Sequence, residues 1–263
     1  VGEVALSPVD VEALLAEDEA RESLEGKGAQ RIGIRRPLPT QITVTWDSAT
    51  QGKWRVLNDG AKLWSTKLRS PQALTMRVHF SELQLPDGAQ VVVYNANNPV
   101  EIYGPYTEPY KGETDVWAAS CFSDEIVVEC SVPAGRKPDG LKLVIDEVTH
   151  NYVGLSEVQW KAAGNCHEDV TCHPDWAETA RGVGGIGTIG RNGVMWCTGT
   201  LIADTDPATQ IPYFLTANHC MPLPGDSSSI EVYWLYQTSS CDGTPPSPVT
   251  VPRTTGGAGR LAW

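Results

Sequence analysis

Thr216-Ala217-Asn218-His219-Cys220 (TANHC) is the stretch around which this chain is organised, and Cys197-Thr198-Gly199-Thr200-Leu201-Ile202 (CTGTLI) precedes it. His219 and Cys220 follow an apolar run, Ile211 to Leu215, at the point where a strand would end. Cys197 lies on an earlier apolar strand, Val194 to Ile202. A cystine between Cys197 and Cys220 would hold the imidazole against the sheet, which suits a general base whose geometry must be fixed.

This pair of motifs resembles the trypsin/chymotrypsin-like serine peptidases, in which a C-x-G-[ST]-L-[IV] strand precedes T-A-x-H-C and the histidine is the catalytic base. The chain is most similar to the bacterial lysyl-endopeptidase branch, from Gly164 to its end, including Val232 to Gln237 and Cys241. The resemblance implies peptide-bond hydrolysis through an acyl-enzyme, in which His219 takes the proton of a nucleophilic serine. It implies a polypeptide substrate, no cofactor and no metal.

The other two members of the expected triad are not found in this sequence. In the family the order is His, Asp, Ser, and the 263 residues contain no G-D-S-G-type nucleophile segment. Four aspartates after Gly164 lie in turn-like polar segments and match no family motif: Asp204, Asp206, Asp226 and Asp242. We therefore expect this chain alone to be inactive. Its partner would be its own C-terminal catalytic half, either outside this sequence or on a second chain after a nick beyond Trp263.

Length and charge limit the classes of function. A chain of 263 residues and 28.5 kDa is longer than one average domain, which favours two domains. Its net charge is −12 and its pI about 4.8, which argues against nucleic acid because that partner requires clustered basic charge. No stretch approaches the roughly 18 apolar residues of a membrane span.

The cysteine pattern indicates an oxidising compartment. Five of the seven cysteines follow Gly164, and their irregular spacing suits cystines better than a repeated metal motif. Val1-Gly2-Glu3 has neither the basic start nor the apolar core of a signal peptide. We therefore expect a processed or trimmed protein that is secreted to the extracellular medium.

Residues 1–39 are predicted to hold an N-terminal helix and a lead-in. Ser7 can cap the helix, Pro8 suits its first position, and the helix itself is predicted over Val9 to Glu22. Gly26 and Gly28 are predicted to end it.

Residues 40–153 are predicted to form a β-sandwich, jelly-roll-like in topology. Leu74 to Phe80 alternates apolar and polar residues with the period of two that is typical of a half-buried strand. Seven similar runs are separated by turn residues: Gln41–Trp46, Trp54–Leu57, Lys62–Leu68, Val91–Tyr94, Glu101–Tyr103, Ile126–Val132 and Leu141–Val148. Parts of this region also resemble the propeptide sandwich that precedes such bacterial peptidases. That resemblance implies an intramolecular contact between propeptide and peptidase.

A rival hypothesis makes the protein a non-enzymatic secreted binder with a peptidase-like tail. Eight aromatic residues of the sandwich could form a glycan-binding face: Trp46, Trp54, Trp64, Tyr94, Tyr103, Tyr106, Tyr110 and Trp117. They fall on unrelated strands without a spacing that aligns them, so packing in the core and at its rim is favoured.

Residues 154–164 are predicted to be a linker that contains the maturation site. In the resembling family the cut falls near here, and Lys161-Ala162 fits a lysine-specific cut. Trp160 and the final Trp263 would instead suit an aromatic-specific peptidase. The sequence leaves the two specificities open.

Residues 165–263 are predicted to form the first barrel portion of a trypsin-like double barrel, truncated before its second half. Arg181 to Ile189 is rich in glycine, and Asn192-Gly193 marks a hairpin turn into Val194. A dinucleotide-binding loop is discounted because a strand before the glycines and a helix after them are both missing. A glycine-rich first strand is the better interpretation.

The resemblance implies further disulfides: Cys172 with Cys241, and Cys166 with a cysteine in the missing half. Cys121 and Cys130 flank a predicted turn, and we expect them to pair with each other rather than stay as two buried thiols.

A zinc site is an alternative for the cysteines near the start of the second domain. It would use Cys166-His167 and Cys172-His173 together with the TANHC motif. Their spacing fits neither CxxC nor HxxxH, which disfavours this reading.

Overall fold

A computed structural model describes residues 2–25, 29–107, 114–136, 139–157 and 167–262. Its described elements up to residue 157, in chain order, are β1 (Gly2–Ala5), α1 (Val11–Glu25), β2 (Gln30–Thr45), β3 (Lys53–Val56), β4 (Lys62–Arg69), β5 (Val78–Gln84), β6 (Gln90–Asn95), β7 (Ile102–Tyr106), β8 (Val116–Trp117), β9 (Glu125–Val132) and β10 (Lys142–Asn151). Those from residue 167 on are 3-10 helices Val170–Cys172 and Pro174–Trp176, α2 (Ala177–Ala180), β11 (Val183–Gly190), β12 (Gly193–Ile202), β13 (Tyr213–Thr216), 3-10 helices Asn218–Cys220 and Pro224–Ser229, β14 (Glu231–Trp234) and β15 (Arg253–Thr254). The prediction of a mostly β protein is confirmed.

The chain divides into two compact units. The first contains Val1–Ala13 and Ile34–Tyr152, and the second contains Leu14–Gly33 and Val153–Trp263. α1 and β2 therefore each pass from one unit to the other along the chain. Among the described residues, no helix combines the length and the apolar character that crossing a membrane requires.

The first unit holds strands of two sheets. One has the order β1-β4-β9-β6-β7, with β3 also paired to β4, and the other places β2, β10, β5 and β8 side by side. Val91 and Val128 of the first sheet and Phe80 and Ile145 of the second are fully buried in one hydrophobic cluster. One core therefore serves both sheets, as strands with an apolar face require.

β5 corrects the prediction of a half-buried strand. Met76, Val78 and Phe80 are fully buried as the alternation predicts, but Arg77 and His79 on the opposite face are buried as well. Burying a charged group requires hydrogen-bonding partners, and the Arg77 guanidinium Nε donates to the Ala118 carbonyl at 2.7 Å. The strand is therefore covered on both faces.

The N-terminal helix begins later than predicted. α1 starts at Val11, and the Asp10 carboxylate accepts a hydrogen bond from the Ala13 backbone N–H at 3.0 Å. Asp10 is therefore the residue that caps the helix, and the predicted cap at Ser7 with Pro8 inside the helix is wrong. The predicted stops at Gly26 and Gly28 lie outside the described residues.

The aromatic residues of the first unit are mostly used for packing. Trp64 is fully buried and Trp117 is 6% exposed. The indole N–H of Trp54 donates to the Thr45 carbonyl at 2.8 Å, and its ring lies 6.1 Å from that of Trp46. These contacts support the packing interpretation over an aligned glycan-binding face, while Tyr110 lies outside the described residues.

Cys121 and Cys130 are not bonded to each other, which corrects the predicted pairing. Both thiols are buried. Cys130 lies on β9 opposite Trp64 and Val91, whereas Cys121 forms a bridge with Met76, in the segment leading to β5. The two cysteines are therefore aligned with different sheets. Burial raises the pKa of Cys130 to about 12, so its thiol stays protonated and unreactive.

The second unit is built on a sheet with the order β15-β14-β11-β12, and β13 pairs with β12. The predicted hairpin is confirmed, because β11 and β12 run antiparallel and Gly190 pairs with Gly193. A Cβ on Gly185 would lie 2.4 Å from the Trp196 ring, so the glycines of β11 make room for side chains of neighbouring strands. The glycine-rich stretch is a strand, as predicted.

Candidate active site

The TANHC motif lies at the end of β13. Gly199 of β12 pairs with Thr216, the last residue of β13, and the chain then turns into the 3-10 helix Asn218–Cys220. The Cys220 backbone N–H donates to the Ala217 carbonyl at 3.0 Å, which closes the turn. His219 is thus placed where the strand ends, as the sequence predicts.

A disulfide fixes this turn to β12. Cys197 and Cys220 are bonded, with their Cα atoms 5.8 Å apart. A ring nitrogen of His219 lies within 4.8 Å of both sulfur atoms. Cys220 is 2% exposed, whereas His219 is exposed to solvent. The imidazole therefore lies next to a bridge whose Cys220 end is buried, while His219 itself is accessible.

Thr188 supports the same turn from β11. Its side chain is 1% exposed, and its hydroxyl donates to the Cys220 carbonyl at 3.2 Å. The sequence did not single out this residue, because a threonine in a glycine-rich strand carries no motif.

Arg260 reaches the turn from the end of the described chain. Its guanidinium donates to the Met221 and Leu223 carbonyls at 2.8 and 3.1 Å, and to the Asn218 side-chain oxygen at 3.1 Å. One planar group thus joins three acceptors around His219, which is the geometry that arginine provides and lysine does not. Sequence reasoning missed this contact as well, because it spans about 40 residues.

A glycine on β12 lets the hairpin close. A Cβ on Gly199 would lie 2.2 Å from the Phe214 ring and 2.8 Å from the Leu215 carbonyl oxygen. The Phe214 ring also meets Trp234 edge-on, with centroids 5.8 Å apart. The glycine of the CTGTLI motif is therefore required by the close approach of β13.

Asp204 and Asp226 of the second unit accept hydrogen bonds from backbone N–H groups rather than from His219. Asp204 accepts the Ile211 N–H at 3.1 Å, and Asp226, which is 5% exposed, accepts the Leu223 N–H at 2.9 Å. Within the part of the chain that the structure describes, no group forms a hydrogen bond with the His219 imidazole. A carboxylate to orient the ring is not among the four aspartates considered from the sequence.

A second disulfide joins Cys172 to Cys241, with Cα atoms 4.4 Å apart. Asp169 organises the segments on both sides of it, accepting the N–H of Thr171 at 3.0 Å and that of Asp242 at 3.1 Å. Burial alone would raise the pKa of Asp169. These two bonds and one from the Thr238 hydroxyl outweigh burial and lower that pKa. The two bridges are those that the family resemblance implies.

The disulfides bear on the zinc alternative. Zinc binds cysteine as a thiolate, and the sulfurs of Cys172, Cys197 and Cys220 are each bonded to another sulfur. His173 hydrogen-bonds to the Glu168 carboxylate at 2.5 Å. Two of the proposed cysteine ligands, Cys172 and Cys220, are thus used in other bonds. Cys166, like Lys161 and Ala162 of the predicted cut, lies outside the described residues.

Comparison with known proteins identifies the class. A family model described as the lysyl endopeptidase N-terminal domain matches residues 5–152, and one described as the lysyl endopeptidase C-terminal domain matches residues 160–262. Both parts of the chain therefore match endopeptidases. A curated lysyl endopeptidase from Pseudomonas aeruginosa is 25% identical over 226 residues, which is 81% of this chain and 47% of that protein.

The chain belongs to the lysyl endopeptidase family, which confirms the resemblance seen in its motifs. It spans about half the length of the curated relative that it matches.

Proposed function

We propose that this chain is part of a secreted serine endopeptidase zymogen that hydrolyses peptide bonds through a Ser-His-Asp triad. Residues 1–39 and 40–153 would be the propeptide, with a sandwich at its centre. Residues 154–164 would be the linker cut at Lys161-Ala162, and residues 165–263 the first barrel portion of the peptidase. One observation carries the proposal: an exposed imidazole is held within 4.8 Å of both sulfurs of the Cys197–Cys220 bridge.

In this mechanism His219 is the general base. It would accept the proton of the nucleophilic serine and then pass it to the leaving amine. The bridge, Thr188 and Arg260 hold the backbone of the turn in place before substrate binds, and the aspartate of the catalytic half would orient the ring. Aspartate and serine would come from the C-terminal catalytic half of the protein, and this chain alone would be inactive.

The test is a His219→Ala substitution in the complete protein that contains this chain. Peptides with lysine, and with phenylalanine or tryptophan, before the cleaved bond would separate the two specificities left open. We expect kcat/KM to fall at least 1,000-fold, because loss of a triad member commonly costs more than that.

His173→Ala is the matched control, since this exposed histidine lies in the same unit and contacts Glu168 rather than the TANHC turn. It should retain activity. A His219→Ala protein with undiminished hydrolysis would overturn the assignment, and absence of peptidase activity from the complete protein would favour the binding-protein alternative.

A further inference from the structure

The segment Leu14–Gly33 is grouped with the second unit, although the chain on either side of it builds the first. The N-terminal-domain family model covers this segment, since it matches residues 5–152. By sequence it is thus part of the proposed propeptide, and by structure its end, Gln30–Gly33, pairs with residues of the proposed peptidase. We call residues 14–33 the arm.

The arm adds a strand to β12. Its residues Gln30, Arg31 and Gly33 pair antiparallel with Trp196, Met195 and Val194, with a bulge between the last two pairs. The approach is close, because a Cβ on Gly193 would lie 2.3 Å from the Gly33 carbonyl oxygen. Ile32, between Arg31 and Gly33 in the sequence, is 2% exposed. Its carbonyl accepts a hydrogen bond from the Val153 N–H at 3.2 Å.

Arg31 ties the strand of the arm to the helix of the arm. Its Nε donates to Asp18 at 2.6 Å and its Nη1 to Glu17 at 3.2 Å. The Arg31 side chain is 7% exposed and that of Asp18 21%, whereas that of Glu17 is 59% exposed, so water competes little for the bond to Asp18. Charge-assisted bonds of this kind are stronger than neutral ones, and they hold helix and strand as one body.

The arm occupies the same edge of β12 as the strand that leads to His219. β11 pairs along β12 from Gly193 to Thr200 and fills one edge. On the other edge, β13 pairs with Gly199 to Ile202 and the arm pairs with Val194 to Trp196. Cys197 lies between the two, so the arm covers the edge directly beside the bridge of the candidate site.

We infer that the propeptide binds the peptidase of the same protein through the arm, which adds a strand to β12. Main-chain hydrogen bonds supply affinity in this mode of recognition. This inference rests on the proposed function, in which a cut between Glu157 and His167 separates the propeptide from the peptidase. After that cut, the piece with residues 1–157 remains bound through the arm.

The experiment introduces a site for an added protease between Glu157 and His167. The cut protein is then analysed by size-exclusion chromatography and by hydrogen exchange over residues 29–33 and 194–196. We expect the two pieces to elute together, and the amides of both segments to stay as protected as in the uncut protein. Separation of the pieces, or loss of that protection on cutting, would overturn the inference.

A pair of variants tests whether the arm itself holds the pieces. Arg31→Ala removes the bonds that order the strand of the arm against its helix, so the strand is less preorganised for pairing with β12 and dissociation should be at least tenfold faster. Arg21→Ala is the matched control, because Arg21 contacts the same two carboxylates from within α1 and does not reach the strand. It should change the rate less than twofold, and equal rates for Arg31→Ala and the unsubstituted protein would contradict the role given to the ion pairs of the arm.

Two outcomes keep this inference separate from the proposed function. Because the added protease makes the cut, the result does not depend on the protein having activity of its own. Conversely, separation of the pieces would leave the effect of His219→Ala on hydrolysis unchanged.

Discussion

His79 lies between two carboxylates in the first unit. Its Nδ1 lies 2.7 Å from Asp146 and its Nε2 lies 2.9 Å from Asp115. A carboxylate on each side of the ring favours the imidazolium, the form in which both ring nitrogens donate. Trp117 stacks on it with centroids 4.4 Å apart. Glu147, which also approaches the Nδ1 atom, is paired with Arg35.

The sequence could not identify this cluster. The alternation around His79 predicts an exposed position, and the two bonded aspartates are 36 and 67 residues away along the chain. A bulge in the β5–β10 pairing skips Asp146, because His79 pairs with Glu147 and Phe80 with Ile145. A bulge of this kind changes the direction of a side chain, and the alternation of apolar and polar residues in the sequence does not reveal it.

We predict that the first unit loses stability as the pH rises through the raised pKa of His79. Burial alone would lower the pKa of His79, but Asp115 and Asp146 outweigh it and raise the pKa above 6.5. The stabilisation is therefore complete below pH 6.5 and is lost as the pH rises through the folded-state value. His79→Gln should remove this dependence and cost about 1–3 kcal/mol at pH 6, measured by urea unfolding between pH 6 and 9.

His173→Gln is the control for that measurement, since this exposed histidine lies in the second unit. His150 has the opposite dependence, because burial and the charge of Arg36 lower its pKa to about 4. A neutral buried histidine destabilises the fold as the pH falls from 6.5 towards 4, so above pH 6.5 the loss of stability reports His79. Identical pH profiles for His79→Gln and the unsubstituted protein would contradict the prediction.

At the scale of elements, the β12–β13 hairpin shows what a local pattern can predict. The apolar run before His219 gave β13, and the cysteine spacing was consistent with a bridge to β12. The contacts of Thr188 and Arg260 were not predictable, since each comes from another strand or segment through one side chain. Motifs thus located the candidate site, and only the tertiary structure shows what supports it.

Gly199→Ala is predicted to disrupt this hairpin. The new methyl group would lie 2.2 Å from the Phe214 ring and 2.8 Å from a backbone oxygen that cannot move alone. Overpacking of this kind costs about 1–3 kcal/mol. We expect a lower free energy of unfolding for the second unit and reduced activity of the complete protein, measured by thermal unfolding and by peptide hydrolysis.

Gly187→Ala on β11 is the matched control, because the nearest atom to its Cβ would be a Tyr233 ring carbon at 4.0 Å. Both glycines are buried in neighbouring strands of one sheet. Equal destabilisation by the two substitutions would show that the contact with Phe214 is not the reason for the glycine.

At the scale of the whole molecule, chain length and strand spacing predicted two β-rich parts, and the described chain passes from the first unit to the second after Tyr152. The arm was not predicted, because nothing in residues 14–33 marks a strand that will pair with residues 194–196. Pairing over such a distance in sequence depends on which strand edges are left open, and that is a property of the assembled sheet.

The two units should respond differently to a reducing agent. Both disulfides of the described chain lie in the second unit and close loops of 69 and 23 residues. In the chain-entropy model they stabilise it by about 4 and about 3 kcal/mol, whereas the first unit holds Cys121 and Cys130 as buried thiols. Hydrogen exchange with and without dithiothreitol should therefore show faster exchange in β12 and unchanged exchange in β5. The Cys172→Ala/Cys241→Ala variant should reproduce part of the change in β12 without reductant. Faster exchange in β5 as well would mean that the first unit depends on the bridges of the second.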